Sequence, residues 1–511
     1  MRGTMSDTRS SGVRFSELAN NPRHNILLVD LNNFASFPTL AIGILIAALR
    51  NAGHSVQLIV PLAYDVPGSM REKPDTRWTH LARKLHHSTA PGMRWVRDTA
   101  RRLYYAYRHR PHATVLREVG KALDRKPDLL LLSVYLMHYP TVVELCARAR
   151  SLGVPVIVGG PALNLPDVAK RWRDIPGVTA LYGGEADIVL PEIVHTLLMG
   201  GDISSFPGVV PGKSQNAMIA APPLRELDRS PTPDFTDFAW DRYPVRIVPI
   251  MTGRGCQWGR CVFCSDVVSA NGRTFRTRSL ENVMMEIREQ SRRYATNNFL
   301  FLDLKLNSHP ALFRGIAERI QIAAPGAQWI GTVHVDTRSD NGLSARDLKN
   351  AANAGMRRIS FGLETASPRL LDLMDKGTSI EAIEAFVRHA SEAGLSVRAT
   401  MFRGFPGETA DDLAITNAFL MRHSSYIDRI RFNDFSVPEE TPIWFALRKQ
   451  DPKYPDTRLT GTDHRSARAN YVSGYADSAA YRRAKSRLLA TIHAINRRPL
   501  RPEAQMFDGL M

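Results

Sequence analysis

Cysteine is scarce in this 511-residue chain, with only four present. Long apolar runs are scarce as well. The longest, Ala41 to Leu49, is far short of the roughly 20 residues that cross a bilayer, and the opening Met-Arg-Gly-Thr-Met-Ser-Asp lacks the apolar core of a secretion signal. No membrane partner is therefore expected, and a cytoplasmic location is. The unpaired cysteines suit a reducing compartment. No acid/base or nucleophilic triad stands out. With 44% hydrophobic residues and this length, the chain has enough apolar material for two or three globular domains.

Three of the four cysteines fall together, in Gly-Arg-Gly-Cys256-Gln-Trp-Gly-Arg-Cys261-Val-Phe-Cys264. Soft thiolates so concentrated point to a metal site. Structural zinc takes four ligands, and no fourth cysteine or histidine lies close by in sequence. A three-thiolate site leaves one metal position open, as in a four-iron four-sulfur cluster whose fourth iron is free to bind a further molecule. Zinc, or three unrelated buried cysteines, remain the alternatives. Cys146, in Val-Val-Glu-Leu-Cys-Ala-Arg-Ala, reads as a small apolar helix residue.

The formal net charge is +17 and unevenly spread. Between Arg71 and Lys126 there are 15 Lys or Arg against 5 Asp or Glu, with Trp78, Trp95, Tyr104, Tyr105 and Tyr107 interleaved. Nucleic-acid binding is one reading. An amphipathic helical insertion, aromatics toward the core and arginines toward water, is the expected one. A docking face for an acidic electron-donor protein is a third.

Along the chain, apolar runs of strand type (His24–Asp30, Ser55–Val60, Asp128–Val134, Pro155–Val158, Thr179–Tyr182) alternate with helical segments, predicting a Rossmann-like, doubly wound parallel sheet over residues 21–205. Ligands of such sheets sit beyond the strand carboxyl ends. Residues 206–244, rich in Pro, Gly and Asp, read as a linker. From 245 to 437 about six further strand and helix units predict a partial (β/α)6 TIM-type barrel with its chemistry at the strand carboxyl ends. Residues 438–511 read as a mainly helical cap that shapes a substrate chamber.

The cysteine run resembles the radical S-adenosylmethionine (SAM) superfamily, although its spacing is CxxxxCxxC where CxxxCxxC is usual. The resemblance implies that Cys256, Cys261 and Cys264 hold a 4Fe-4S cluster, that SAM chelates the open iron, and that Phe263 packs near its adenine. Ile359-Ser-Phe-Gly-Leu-Glu-Thr365 and Arg398-Ala-Thr-Met-Phe-Arg-Gly-Phe-Pro-Gly-Glu-Thr409 are similar to the later barrel strands of that family. Alternation along a strand puts Ser360, Gly362 and Glu364 on one face, and Arg398, Thr400 and Phe402 on one face. By resemblance, Glu364 takes the ribose or amino group of SAM, Arg398 its carboxylate, Asp303 its amino group, and Gly404 approaches adenine, with Ser360 and Asn433 as further SAM contacts.

Phe37-Pro38-Thr39, Val158-Gly159-Gly160-Pro161 and Tyr182-Gly183-Gly184-Glu185-Ala-Asp187 together resemble the N-terminal domain of cobalamin-dependent radical SAM enzymes. Glycine pairs after buried strands let backbone approach a flat ligand. Pro38, Thr39, Tyr135, His138, Gly159, Gly160, Pro161, Gly183, Gly184 and Glu185 are the implied cobalamin contacts. The Asp-x-His-x-x-Gly motif is absent, so base-off cobalamin without that histidine is expected. The resemblance implies C-methylation of an unactivated carbon in a natural-product or peptide precursor: a 5′-deoxyadenosyl radical removes a hydrogen and methylcobalamin delivers the methyl group. Rearrangement, cyclisation or oxidation with the same cofactors is the alternative. An acidic electron donor such as flavodoxin or ferredoxin is the implied protein partner, and nucleic acid is not an expected one.

Overall fold

The computed structural model describes residues 22–68, 75–108, 110–265, 274–337 and 342–510. Residue 21, where the first domain was expected to begin, residues 71–74 and 109 of the basic stretch, and the terminal residue 511 lie outside the described residues.

Two six-stranded sheets organise the chain. The first contains β1 (Asn25–Asp30), β2 (Ser55–Ile59), β3 (Leu129–Ser133), β4 (Val156–Gly159), β5 (Ala180–Tyr182) and β6 (Val209–Pro211), in the order β2-β1-β3-β4-β5-β6. All pairs are parallel except β5 with β6. The unbroken apolar runs of β1 and β3 follow from burial on both faces: Ile26, Leu27, Leu28 and Val29, and Leu129 to Leu132, are all buried beneath helices. Strand order reverses beside β1, which places a crevice beyond the carboxyl ends of β1 and β3.

The second sheet contains β7 (Val248–Ile250), β8 (Asn298–Phe301), β9 (Gln328–Val333), β10 (Met356–Glu364), β11 (Ser396–Arg403) and β12 (Arg429–Asp434), all parallel and in sequential order. Helices cover one face through Ile359, Phe361, Leu363, Val397, Ala399 and Met401. The opposite face carries Arg358, Ser360, Gly362, Thr400 and Arg431. At its lower end the C-terminal segment closes that face: Phe507 and Leu510 pack with Ile247, Leu300 and Ile330, while the Arg358 guanidinium donates to the Phe507 and Ala504 carbonyls at 2.9 and 3.3 Å.

Three expectations need correction. Residues 206–244 are not a free linker, because β6 completes the first sheet and Phe235 seats on helix Leu40–Asn51, so close that a Cβ on Gly43 would lie 2.4 Å from its ring. Proline and glycine masked a strand of only three residues. The C-terminal region is mixed rather than mainly helical: beside helices Pro442–Arg448 and Ala479–Asn496 it holds a three-stranded antiparallel sheet, Val437–Pro438, Thr457–Asp463 and Arg468–Ser473. The basic stretch is helical, over Arg77–His86, Pro91–Arg108 and Ala113–Leu123, but the five aromatics do not face a core. Trp78 and Tyr107 are 79% and 76% exposed, and Trp95, Tyr104 and Tyr105 are exposed too. No helix among the described residues is long and apolar enough to cross a membrane.

Candidate active site

The cysteine run leaves β7 and begins with a two-residue bridge, Gly253–Arg254 against Arg276–Thr277. Asp303, just after β8, anchors that bridge. Its carboxylate accepts hydrogen bonds from the Thr252 and Gly253 amides and the Thr252 hydroxyl, at 2.7 to 3.1 Å. Burial pushes this carboxyl up to about 6 despite those donors. Asp303 therefore positions the loop from beneath, rather than standing free for the SAM amino group, and it does not line the chamber described below.

Two left-handed glycines, Gly255 (φ 84°) and Gly259 (φ 57°), let the loop turn. Cys256, Cys261 and Cys264 are all partly buried, and burial raises the Cys261 thiol to about 11. Cys146 sits in the core of the first domain and supplies no fourth thiolate. Among the described residues, His86, His87 and Asp434 form a group whose ligand atoms all lie within 4.8 Å of one another.

Phe263 and Cys264 open onto a chamber of about 1,040 Å³. Glu364, Thr400, Phe402 and Asn433 line it from the ends of β10, β11 and β12, and Arg83, His86, His87, Arg101 and Tyr105 roof it from the basic insertion. Phe263 meets Phe402 edge-on at 5.3 Å. Glu364, at φ 57°, accepts from Lys376 Nζ at 2.8 Å, and Gly362 is small because a Cβ there would lie 2.3 Å from the Glu364 carboxylate. Burial alone would lower the Lys376 ammonium, but Glu364 and Cys261 beside it hold it above its ordinary range. Cross-strand register sets Gly362 beside Thr400 and Thr400 beside Arg431.

Arg398 and Ser360 belong to the same face, two residues deeper than Thr400 and Gly362. The fully buried Arg398 guanidinium donates to the Leu510 carbonyl and so is held away from the chamber, correcting its expected role toward the SAM carboxylate. Sequence alternation identified the face and missed the depth. Arg431, also on the chamber wall, has no hydrogen-bond or ion-pair partner among the described residues. Gly404 lies outside the lining. Its left-handed turn (φ 83°) donates its amide to Glu408 at 2.6 Å and accepts from Tyr471, which explains the glycine without a ligand. Burial raises Glu408 to about 7 against a hydrogen bond from Tyr481.

A second cavity, about 430 Å³, lies at the carboxyl ends of the first sheet. Leu28, Phe37, Ile44, Leu131, Ile157 and Tyr182 make it apolar, and Thr39, Tyr135, Gly159, Gly160, Pro161, Gly184 and Glu185 stand at its rim. Its far wall comes from the segments that follow β7 and β8 of the second sheet, as Met251, Arg254 and Leu302. Pro38, His138 and Gly183 do not line it. His138 is held by the Tyr135 amide, which donates to its Nδ1 at 3.1 Å, and burial lowers the imidazole to about 4. Gly160 and Gly184 answer to packing: a Cβ on Gly160 would sit 2.2 Å from the Val134 carbonyl, and Gly184 has φ 127°. Gly159 has more room, since a Cβ there would meet only the Tyr182 carbonyl oxygen, at 3.9 Å.

Glu185 has a role that sequence reading missed. With Asp187 it grips the two-residue bridge at the cysteine run: Arg254 reaches Glu185 at 3.0 Å and Asp187 at 2.5 Å, and Arg276 reaches Glu185 at 2.8 Å, all with side chains about nine-tenths buried. The quoted Gly-Arg-Gly-Cys and Gly-Gly-Glu-Ala-Asp motifs held both partners, but only folding shows that they meet.

Residues 250–420 match the family model described as the radical SAM superfamily. An uncharacterized methyltransferase of Pyrococcus horikoshii is 29% identical over 319 residues, covering 60% of this chain and 66% of the relative. The anaerobic magnesium-protoporphyrin IX monomethyl ester cyclase of Rubrivivax gelatinosus is 27% identical over 284 residues, 53% of this chain and 49% of the relative. The chain thus spans less than two thirds of the length of either. Among solved structures, the radical SAM methyltransferase TsrM of Kitasatospora setae, with tryptophan substrate and a SAM analogue bound, superposes with a TM-score of 0.66 at 17% identity over 92% of this chain and 89% of that one. The same enzyme with cobalamin and a [4Fe-4S] cluster bound gives a TM-score of 0.65. This chain therefore carries a radical SAM domain over residues 250–420 and shares its overall fold with a cobalamin-binding radical SAM methyltransferase.

Proposed function

We propose that this protein is a cobalamin-dependent radical SAM methyltransferase that methylates an unactivated carbon of a natural-product or peptide precursor. One observation carries the reading: a single segment serves both cavities, with Met251 and Arg254 lining the apolar one and Phe263 and Cys264 the chamber. When bound, the cluster and SAM supply a carbon-centred radical and cobalamin supplies the methyl group. The names of the Pyrococcus relative and of TsrM support methylation over other outcomes.

In this reading the first sheet, residues 22 to about 211, is a Rossmann-like cobalamin domain, and β7 to β12 form a partial (β/α)6 barrel that runs to about residue 437. Cys256, Cys261 and Cys264 hold the cluster. The Glu364–Lys376 pair, Thr400, Asn433 and Phe263 bound the SAM subsite, and Arg431 replaces Arg398 as the group for its carboxylate, since a guanidinium pairs with a carboxylate through two parallel hydrogen bonds. The apolar cavity, whose lining includes no histidine, fits cobalamin held without an imidazole from this chain. The rest of the chamber excludes water from the reacting carbon. An acidic flavodoxin or ferredoxin is the reductant that suits a chain of net charge +17, and the cytoplasm is the reducing compartment that suits its thiolates.

The cyclase relative favours a second reading, in which the same cofactors drive a non-methylating reaction. Anaerobically reconstituted protein, loaded with reduced cobalamin and given SAM with a deuterated methyl group, separates the two. Methylation requires labelled cobalamin and an equal amount of S-adenosylhomocysteine. Formation of 5′-deoxyadenosine alone would select the second reading.

A further inference from the structure

The helix Pro91–Arg108 is mounted inside out. At 100° per residue, Met93, Val96, Leu103, Tyr104 and Tyr107 fall within about 100° of arc, an apolar stripe of the kind that normally packs on a core. Here all five are exposed, Leu103 by 68% and Tyr107 by 76%. Arg97 and Arg101, which flank the stripe on one side, face the protein. Arg97 donates to the Ser88 carbonyl at 2.6 Å with only 13% of its side chain exposed, and Arg101 pairs with Asp434 at 3.1 Å over the chamber. The preceding helix, Arg77–His86, does the same: Arg83 turns inward onto Asp75, and Trp78 and Leu81 point out. Polar contacts fix both helices and leave their apolar stripes uncovered.

The charges around the stripe indicate what covers it. Each described acidic residue between 75 and 126 is neutralised within the chain: Asp75 by Arg83, Asp98 by Arg97, Glu118 by Arg117 and Lys121, and Asp124 by Arg148. Arg77, Lys84 and Arg102, all exposed, have no ion-pair partner among the described residues. A second copy of a chain with net charge +17 would be repelled here. An anionic bilayer surface matches both features. Lipid phosphates take the free cations, the Met, Val and Leu side chains enter the acyl boundary, and Trp78, Trp95, Tyr104 and Tyr107 lie at headgroup level, as in amphipathic helices that rest in the interface plane without crossing it.

We infer that the helix pair Arg77–His86 and Pro91–Arg108 is a peripheral docking surface for anionic lipid membranes. The inference goes beyond the methyltransferase reading and does not depend on it, since binding needs no cofactor.

Flotation of the full-length protein with vesicles tests it. The protein should rise with vesicles of phosphatidylcholine containing phosphatidylglycerol, less with pure phosphatidylcholine, and less again as salt is added. The V96E/L103E/Y107E variant should bind at least about tenfold more weakly. Bromine-labelled acyl chains should quench the tryptophan fluorescence of the unmodified protein, and Trp78→Phe with Trp95→Phe should remove most of that quenching, which keeps the test independent of how the triple variant folds. Absence of flotation with phosphatidylglycerol vesicles, undiminished binding by a folded triple variant, or unquenched tryptophans would each overturn the inference. So would an acidic flavodoxin that binds through Leu103 and Tyr107 while vesicles do not, which would assign the surface to a protein.

Discussion

The two cavities are built on opposite principles. Around the first, Leu28, Phe37, Ile44, Leu131 and Ile157 offer shape and dryness, and its charged groups, Glu185, Asp187 and Arg254, are turned on one another across the domain boundary. Around the second, Glu364, Asp434, Arg101 and Arg431 bring charge to the wall itself. An apolar slot holds a large, nearly neutral ligand by contact area. A charged chamber orients a small zwitterion and strengthens each ion pair by excluding water. The difference teaches that the proposed function would divide its two binding tasks between the two sheets, whose cavities are joined by the segment from Met251 to Cys264.

The sharpest way to break that comparison is to remove one side of it. Cys261→Ala should abolish iron incorporation and SAM cleavage while cobalamin retention persists, read by iron analysis and the optical spectrum. Arg254→Ala attacks the joint instead. It leaves Asp187 buried without its cation, at a cost of about 3–5 kcal/mol, and should lower the melting temperature and loosen both ligands together.

Gly160→Val should act on the first cavity alone. Its branched side chain must displace the Val134 carbonyl, 2.2 Å from the Cβ position, at about 1–3 kcal/mol, so cobalamin binding should fall with cluster content unchanged. Lys376→Met should do the converse, weakening SAM by about tenfold, or about 1.4 kcal/mol, in a binding titration that leaves cobalamin untouched.

The smallest effect is a pH slope. Glu408 is raised in the fold to about 7 from its ordinary 4.5, so the fold favours its protonated form. Its contribution to stability is complete below pH 4.5 and is lost as the pH rises toward 7. Glu408→Gln should flatten that part of a melting-temperature profile.

Much of the fold was legible because buried parallel strands are read directly from apolar runs: Asn25–Asp30 starts one residue later than expected and ends where expected, and Leu129–Ser133 is one residue shorter at each end. β6 was not legible, since three residues carry no period. At the site, the sequence named residues that the fold brings to one chamber, among them Phe263, Cys264, Glu364 and Asn433, but it did not give depth. Cys256, Cys261, Cys264, Phe263, Glu364 and Asn433 were named from motif and alternation. Arg398 failed because alternation gives the face of a strand and not the height along it, and the tail that binds it lies 112 residues away. Lys376 and Arg431 were missed because neither sits in a motif, and only packing brings them to Glu364 and Thr400. The insertion failed for a different reason: its amphipathic pattern was real, but a pattern does not say which side faces the protein.

The central claim is that one segment holds two cofactors side by side. Arg254 and Cys256 are two residues apart, so their Cα atoms lie within about 7 Å of one another. Electron paramagnetic resonance of protein carrying both a reduced cluster and paramagnetic cob(II)alamin tests the claim most directly. The account predicts a base-off cobalt signal without nitrogen splitting, broadened by dipolar coupling to the cluster, and relieved of that coupling in Cys261→Ala. Two uncoupled spectra, or a cobalt signal split by a histidine nitrogen, would contradict it.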